Sequence, residues 1–211
     1  MNRIILLFLF IALNDLTQAQ STASSCCSVI ICGQTWMTHN LETSYYRNGD
    51  PVPQVTDATT WSTLTTGAWC WYNNDSASYS KYGKLYNWYA VMDPRGLAPW
   101  TWHLPSDAEW SALVTCLGGS AVAGGKMKEV GTNWLSPNFN ATNSSGFTAL
   151  PAGGRFLDGT FHNTGANATF WSTTFSSAST ALNRGLFNTT ENISNFSGNQ
   201  KIGVSVRCIK D

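Results

Sequence analysis

Residues 82–119 read YGKLYNWYAVMDPRGLAPWTWHLPSDAEWSALVTCLGG, and they hold the clearest helix signal beside the densest run of aromatic residues. Ser106 followed three residues later by Glu109 is a capping box: the hydroxyl accepts from the N3 amide while the carboxylate reaches back to the N–H of the cap residue. Beyond it Trp110, Leu113, Val114 and Leu117 fall at i, i+3, i+4 and i+7. That spacing predicts an amphipathic helix stopped by Gly118-Gly119, with Cys116 near its end. Upstream, Leu85, Trp88, Tyr89 and Met92 repeat the spacing and predict a second short helix, ended by Pro94 and Gly96. Two helices packed into one core are expected.

Outward from this stretch, 211 residues suffice for one substantial core, and no internal segment resembles a linker between two domains. The opening MNRIILLFLFIALNDLTQAQ carries Arg3, an apolar run from Ile4 to Leu13 and small residues at Thr17 and Ala19. Residues 1–19 therefore read as a secretory signal peptide, residues 20–28 as a polar flexible arm, and residues 29–211 as the domain. No later stretch approaches 18 apolar residues, so no membrane span is expected. Twelve basic residues balance twelve acidic ones, and charged residues make up only 11%. A near-zero net charge favours association unless something else solvates the surface. Nucleic acid is disfavoured as a partner, because no basic patch exists to neutralise phosphates.

The β-branched run at 28–32, followed by Gln34, Thr35, Trp36 and Met37, reads as the opening strand. At the other end, residues 202–209 alternate, placing Ile202, Val204, Val206 and Cys208 on one face; pairing of these terminal strands would close the fold. Between Tyr45 and Tyr82 the chain reads mostly as loop, with a turn at Asn48-Gly49-Asp50-Pro51 and with Trp61, Trp69 and Trp71 pinning it to the core. Short strands are predicted around 147–150 and 169–173, and ordered edge strands across the Asn- and Ser-rich segment 183–199.

Asparagine sequons stand at Asn74, Asn140, Asn143, Asn167, Asn188, Asn192 and Asn195, the last three clustered. Glycans there would supply the solvation that charge does not. Asp75-Ser76-Ala77 also resembles a short bacterial O-glycosylation motif. Six cysteines, Cys26, Cys27, Cys32, Cys70, Cys116 and Cys208, are disulfide candidates in an exported chain, and six allow fifteen pairings among which sequence does not choose. A zinc site from Cys26, Cys27, Cys32 and His39 lacks a second correctly spaced pair. Glu109 is explained as a cap, His103 as a packed or capped imidazole, and His39 and His162 are isolated, so no catalytic constellation, metal or cofactor is expected. Ten tryptophans offer sugar-stacking surfaces, yet most read as core, and the nearest approach to a calcium-lectin motif, Trp71-Tyr72-Asn73-Asn74-Asp75, has an inserted tyrosine.

YGKLYNWYAV, WHLPSDAEWSALV, GGKMKEVGTNW, ATNSSGFTALPAGGR and the terminal SVRCIKD occur in an order that resembles the Fibrobacter succinogenes major paralogous domain family, from about Ile31 to Asp211. The resemblance implies kinship with C-type-lectin-like and formylglycine-generating-enzyme folds. The expected fold is therefore α+β: a single C-type-lectin-like domain with two short helices on small, mostly antiparallel sheets, paired terminal strands and long loops. It also implies a disulfide between Cys116 and Cys208, although the family's usual cysteine before the Trp-His block is replaced by Ala98-Pro99. Cys32 and Cys70 would then each take one of Cys26 and Cys27, or one of that pair would bridge to another chain. The function expected is that of an exported, non-enzymatic structural protein, glycosylated and self-associating through its N-terminal arm at the cell surface or in an extracellular fibre. The alternative is a carbohydrate-binding module with polysaccharide as partner.

Overall fold

The computed structural model describes residues 27–211. The expected signal peptide, all but the end of the arm, and Cys26 lie outside the described residues. The chain opens with a hairpin, β1 (Ser28–Ile31) and β2 (Gln34–Met37), whose turn places Cys32 and Gly33 at positive φ. A long excursion follows with α1 (Ala58–Thr63), β3 (Trp69–Cys70), α2 (Ser76–Tyr79), β4 (Leu85–Tyr86), α3 (Trp88–Val91) and β5 (Trp102–His103). Then come α4 (Asp107–Cys116) and α5 (Ala123–Met127), the short strands β6 (Gly154–Arg155) and β7 (Phe161–His162), and a meander of β8 (Asn167–Ser177), β9 (Thr180–Phe187) and β10 (Ile193–Asn199). The chain ends in β11 (Ile209–Lys210). The architecture is α+β, with few short helices and several small antiparallel sheets.

The ends of the described chain meet as expected: β11 pairs with β2 through Ile209 and Trp36 and with β5 on its other side, giving the sheet order β1-β2-β11-β5. The meander forms a separate sheet, β10-β9-β8. The capping box is present in full, with the Ser106 hydroxyl accepting from the Glu109 amide and the carboxylate accepting from the Ser106 N–H at 2.7 Å. α4 then buries Trp110, Leu113 and Val114.

The second predicted helix is only one turn long. Leu85 is drawn into a strand pair with Cys70, Asn87 caps α3 by accepting from the Ala90 amide, and Met92 at its end is exposed. Tertiary pairing overrides the helical spacing there, since one turn of periodicity carries little free energy. The 45–82 loop is more structured than expected, because Asp57 and Asp75 cap two short helices. Residues 147–150 form no strand, only a bridge from Ala149 to Lys128. The segment 183–199 is ordered, as expected, but its first part is the central strand β9 and only β10 is an edge, with a turn at 188–192 between them, and β8 runs well beyond 169–173.

Buried side chains gather into three clusters. One is built around Trp69, Trp88, Trp102 and Trp171, one around Trp36, Trp110, Phe147 and Phe170, and a smaller one around Trp61, Tyr72 and Tyr82. Segment 202–209 runs between the first two. Ile202, Val204, Val206 and Cys208 share one face as predicted; the last three belong to the first cluster and Ile202 packs against it. The other face is buried too: Ile209 joins the second cluster, and the Arg207 guanidinium stacks 4.4 Å over Phe147. Each aromatic side chain so buried contributes roughly 1.5–3 kcal/mol.

Candidate functional site

The meander presents an open strand edge. β10 is its outer strand, paired only with β9. The Ile193 N–H turns away from β9 to the carbonyl of Ser120. By the alternation of an antiparallel ladder, the N–H groups of Asn195 and Ser197 point outward as well, and they find no partner among the described residues. Phe196 on this strand and Phe175 on β8 are large exposed aromatic groups.

Between β10 and the start of α4 lies a cleft of about 580 Å³, lined by Arg184 of β9, Ser120, and Asn192 to Phe196. The first turn of α4 is fastened to the meander here. Arg184 Nη2 donates to the Asp107 carboxylate at 2.6 Å and to the Ser111 hydroxyl at 2.8 Å, while Asn195 Nδ2 reaches the same carboxylate at 3.3 Å. Arg184 is 7% exposed, and its Nε is buried without a partner.

At the opposite side of the capping box His103 sits between two carboxylates, with Nε2 2.7 Å from Glu109 and Nδ1 2.7 Å from Asp211. Burial pulls its pKa down, but the hydrogen bonds and charges of Glu109 and Asp211 outweigh that and leave it raised. The site ties the helix start to residue 211, and the Ser106 hydroxyl donates to the same Glu109 carboxylate at 2.8 Å. His39 is held low by burial and by the nearby Arg207 charge.

Five cations are buried, and four of them are held without a carboxylate ion pair among the described residues. Arg207 donates to the carbonyls of Met37 and Phe147 and to the Asn40 side chain. Arg155 donates to the carbonyls of Val55, Thr56 and Gly159, and its guanidinium lies over Trp61. Lys128 donates to three carbonyls, those of Phe139, Phe187 and Thr190. Lys84 donates to the Ser44 hydroxyl and lies 3.6 Å from the Trp69 ring centre. Burial draws both lysines down to about 8. These groups staple loops to the core; Lys84, Lys128, Arg155 and Arg207 each stand in one of the blocks that carry the family resemblance, but nothing local in the sequence marks them as buried.

The disulfide expectation needs correction. Cys116 is bonded to Cys32, not to Cys208. Cys116 sits at the end of α4 facing the hairpin turn, with a Cα–Cα distance of 6.5 Å to Cys32, whereas Cys208 points into the first hydrophobic cluster. Cys70 is likewise a buried free thiol rather than the partner of Cys26 or Cys27, and burial pushes both it and Cys208 up to about 12. The Cys27 carbonyl accepts from the Thr38 amide. Among the described residues no cluster of three or more Cys, His, Asp or Glu is arranged to hold a metal ion.

The seven sequon asparagines separate by environment. Nδ2 of Asn74 donates to the Thr56 carbonyl, that of Asn143 to the Thr148 hydroxyl, that of Asn188 to the Ser136 carbonyl, and that of Asn195 to Asp107. Asn167 lies half-buried in β8. Asn140 and Asn192 are exposed, and their side chains make no hydrogen bond among the described residues. Asn138, Asn140 and Asn143 all hold positive φ, which asparagine tolerates better than most residues. Part of the asparagine bias thus serves the backbone. Asp75, in the lectin-like pentad, accepts from the amides of Ala77 and Ser78 as a helix cap. Of the ten tryptophans, Trp100 alone is largely exposed, at 71%, with Arg47 over its ring.

The sequence of cap, helix, closing strand and meander is covered end to end by one family description: the Fibrobacter succinogenes major domain, matched over residues 29–210. The chain belongs to this family. No curated protein matches the chain, and no solved structure does. No helix among the described residues of this Fibrobacter major domain protein is long and apolar enough to cross a membrane.

Proposed function

We propose that this Fibrobacter major domain protein is an exported, non-enzymatic structural protein whose copies associate at the cell surface or in an extracellular fibre. The observation that carries the reading is the open edge of β10, where the outward amides of Asn195 and Ser197 are unpaired. An unprotected edge is a template for another strand. Neither lysine nor proline guards it, since β10 reads ISNFSGN. In this reading the added strand is the part of the arm before the first hairpin, residues 20–26, of a neighbouring copy, since Ser28 pairs with Met37 and the Cys27 carbonyl accepts from the Thr38 amide. Such a head-to-tail contact propagates into a filament where its rotation does not close a ring. N-linked glycans on the exposed asparagines, and a C-type-lectin-like ancestry of the chain-end closure between β2 and β11, belong to the same proposal.

The experiment is sedimentation and electron microscopy of the secreted protein beside two variants, a deletion of residues 20–26 and Ser197→Pro. The proline removes an outward N–H while sparing the ladder to β9. Assembly of the parent and loss of assembly in both variants is the expected result. Assembly that survives in both places the joint elsewhere.

A further inference from the structure

Lys81 stands on a single 3-10 turn, Ser80–Tyr82, whose backbone is fixed on its C-terminal side: Tyr82 is buried in the smaller cluster, and Gly83 holds a positive φ with its backbone against Asn40. The Lys81 side chain donates to Asn133 Oδ1 at 2.7 Å, across a sequence separation of 52. Asn133 is anchored in the same way, since the adjacent Trp134 is buried and donates from Nε1 to the Ala149 carbonyl at 3.0 Å. Lys84, Lys126, Lys128 and Lys201 instead donate to a hydroxyl or to main-chain carbonyls. A side-chain carboxamide differs from these acceptors in that it can exchange its nitrogen for an amine without cutting the chain.

The third member of the group is Glu129. Its Oε1 accepts from Asn133 Nδ2 at 3.2 Å, and its Oε2 is buried without a hydrogen-bond partner among the described residues. An unmet buried polar atom costs about 1–3 kcal/mol. A Cβ at Gly131 would overlap this carboxylate, so the glycine leaves room for it. An amine, a carboxamide and a carboxylate are thus joined in that order, the carboxylate against the nitrogen that would leave. Because a C=O bond is short, the Asn133 carbonyl carbon lies within about 4 Å of the lysine nitrogen, near the separation of a reactive encounter. We propose that Lys81 and Asn133 condense into an isopeptide bond, with Glu129 as the acid–base group. Having given one proton to solvent, Lys81 Nζ attacks Asn133 Cγ and forms the new C–N bond while the carbonyl π pair moves to Oδ1. Return of that pair breaks Cγ–Nδ2, whose electrons leave with the nitrogen. Glu129 carries the proton shed by Nζ to Nδ2, which departs as ammonia. The step is redox-neutral, and Glu129 ends as it began. Lys81 is exposed, so the ammonia is diluted into water and the bond does not revert. The link ties the excursion that follows Cys70, a free thiol, to the loop after α5.

This inference depends neither on the arm nor on the edge of β10. The full chain, as secreted, is reduced, denatured and digested, and its peptides are mapped by mass spectrometry. One branched peptide joining residue 81 to residue 133 is expected, lighter by one ammonia than its two parts and uncut by trypsin after residue 81. Lys81→Arg, at an exposed position, should fold as the parent does and yield the two peptides unlinked. It should also migrate more slowly on a denaturing gel, because the parent carries a closed loop. Glu129→Gln keeps the size of the side chain but not its proton transfer, and should lower the linked fraction at least about tenfold in protein whose circular dichroism matches the parent. Residues 81 and 133 recovered only in unlinked peptides from the folded parent, ammonia lost from Asn133 without a join to residue 81, or an equal linked fraction in Glu129→Gln would overturn the proposal.

Discussion

His103 bridges Glu109 and Asp211, its two ring nitrogens each 2.7 Å from a carboxylate oxygen, and so ties the start of α4 to the last residue of the chain. The His103 pKa is raised and that of Glu109 lowered, in the latter case because hydrogen bonds from Ser106 and His103 outweigh the effect of burial. The two shifts set opposite limits. A raised histidine contributes stability that is complete below its ordinary value near 6.5 and is lost as pH rises through the folded value. A lowered glutamate contributes stability that is complete above its ordinary value near 4.5 and is lost as pH falls through its folded value. His103→Gln should therefore be most destabilised relative to the parent between about pH 5 and 6. The cluster is partly exposed, so about 0.2–1 kcal/mol is expected. Urea melts across pH 4–8, with NMR titration of His103 above and His39 below the ordinary histidine value, check this; a pH-independent difference would remove the linkage.

The Cys32–Cys116 bridge closes a long loop between the first hairpin and α4, with a sequence separation of 84. In the chain-entropy model such a loop corresponds to about 4–5 kcal/mol. Cys32→Ser and Cys116→Ser should lower stability alike, and the double variant should add little to either. Non-reducing peptide mapping should recover residues 32 and 116 together and residue 208 as a thiol.

Gly124 and Gly125 in α5 face backbone from two loops. A Cβ on Gly124 would stand 2.7 Å from the Glu191 carbonyl oxygen, and one on Gly125 would stand 2.5 Å from that of Asn140. Alanine ordinarily favours a helix by about 1 kcal/mol over glycine. Here each alanine should instead destabilise by about 1–3 kcal/mol through overpacking, as read by chemical denaturation.

If the protein is glycosylated, occupancy should follow amide freedom rather than sequon number. Asn140 and Asn192 should be modified ahead of Asn143, Asn188 and Asn195, whose Nδ2 groups are engaged. Glycopeptide mass spectrometry gives the order directly, and preferential modification of Asn143 or Asn195 would contradict it.

The sequence was informative where the signal was local. Ser106 and Glu109 specify their cap whatever surrounds them, and the alternation from Ile202 to Cys208 identified the face that meets the first cluster. It was misleading where a neighbour distant in the chain decides. Leu85 fits a helical spacing, but Cys70 claims it for a strand. Cys208 has the right position in sequence for a bridge to α4, but its side chain points to the opposite side of the last segment from Ile209, into a different cluster. The cleft was hidden for the same reason: Arg184, Asp107 and Asn195 come together only through the helix-on-meander packing, and no motif joins them.

The buried cations change what equal numbers of acidic and basic residues mean. Residues 27–211 contain eleven of each sign. Five of the basic ones, Lys84, Lys128, Arg155, Arg184 and Arg207, are buried, and no carboxylate is buried with them. The water-facing layer therefore carries six basic residues against eleven acidic ones. At physiological ionic strength fields decay over about 8 Å, so an approaching molecule senses that acidic layer more than the balanced total. Association of copies, as proposed, would bring like-charged surfaces together despite a formal charge of zero, and added salt should favour it.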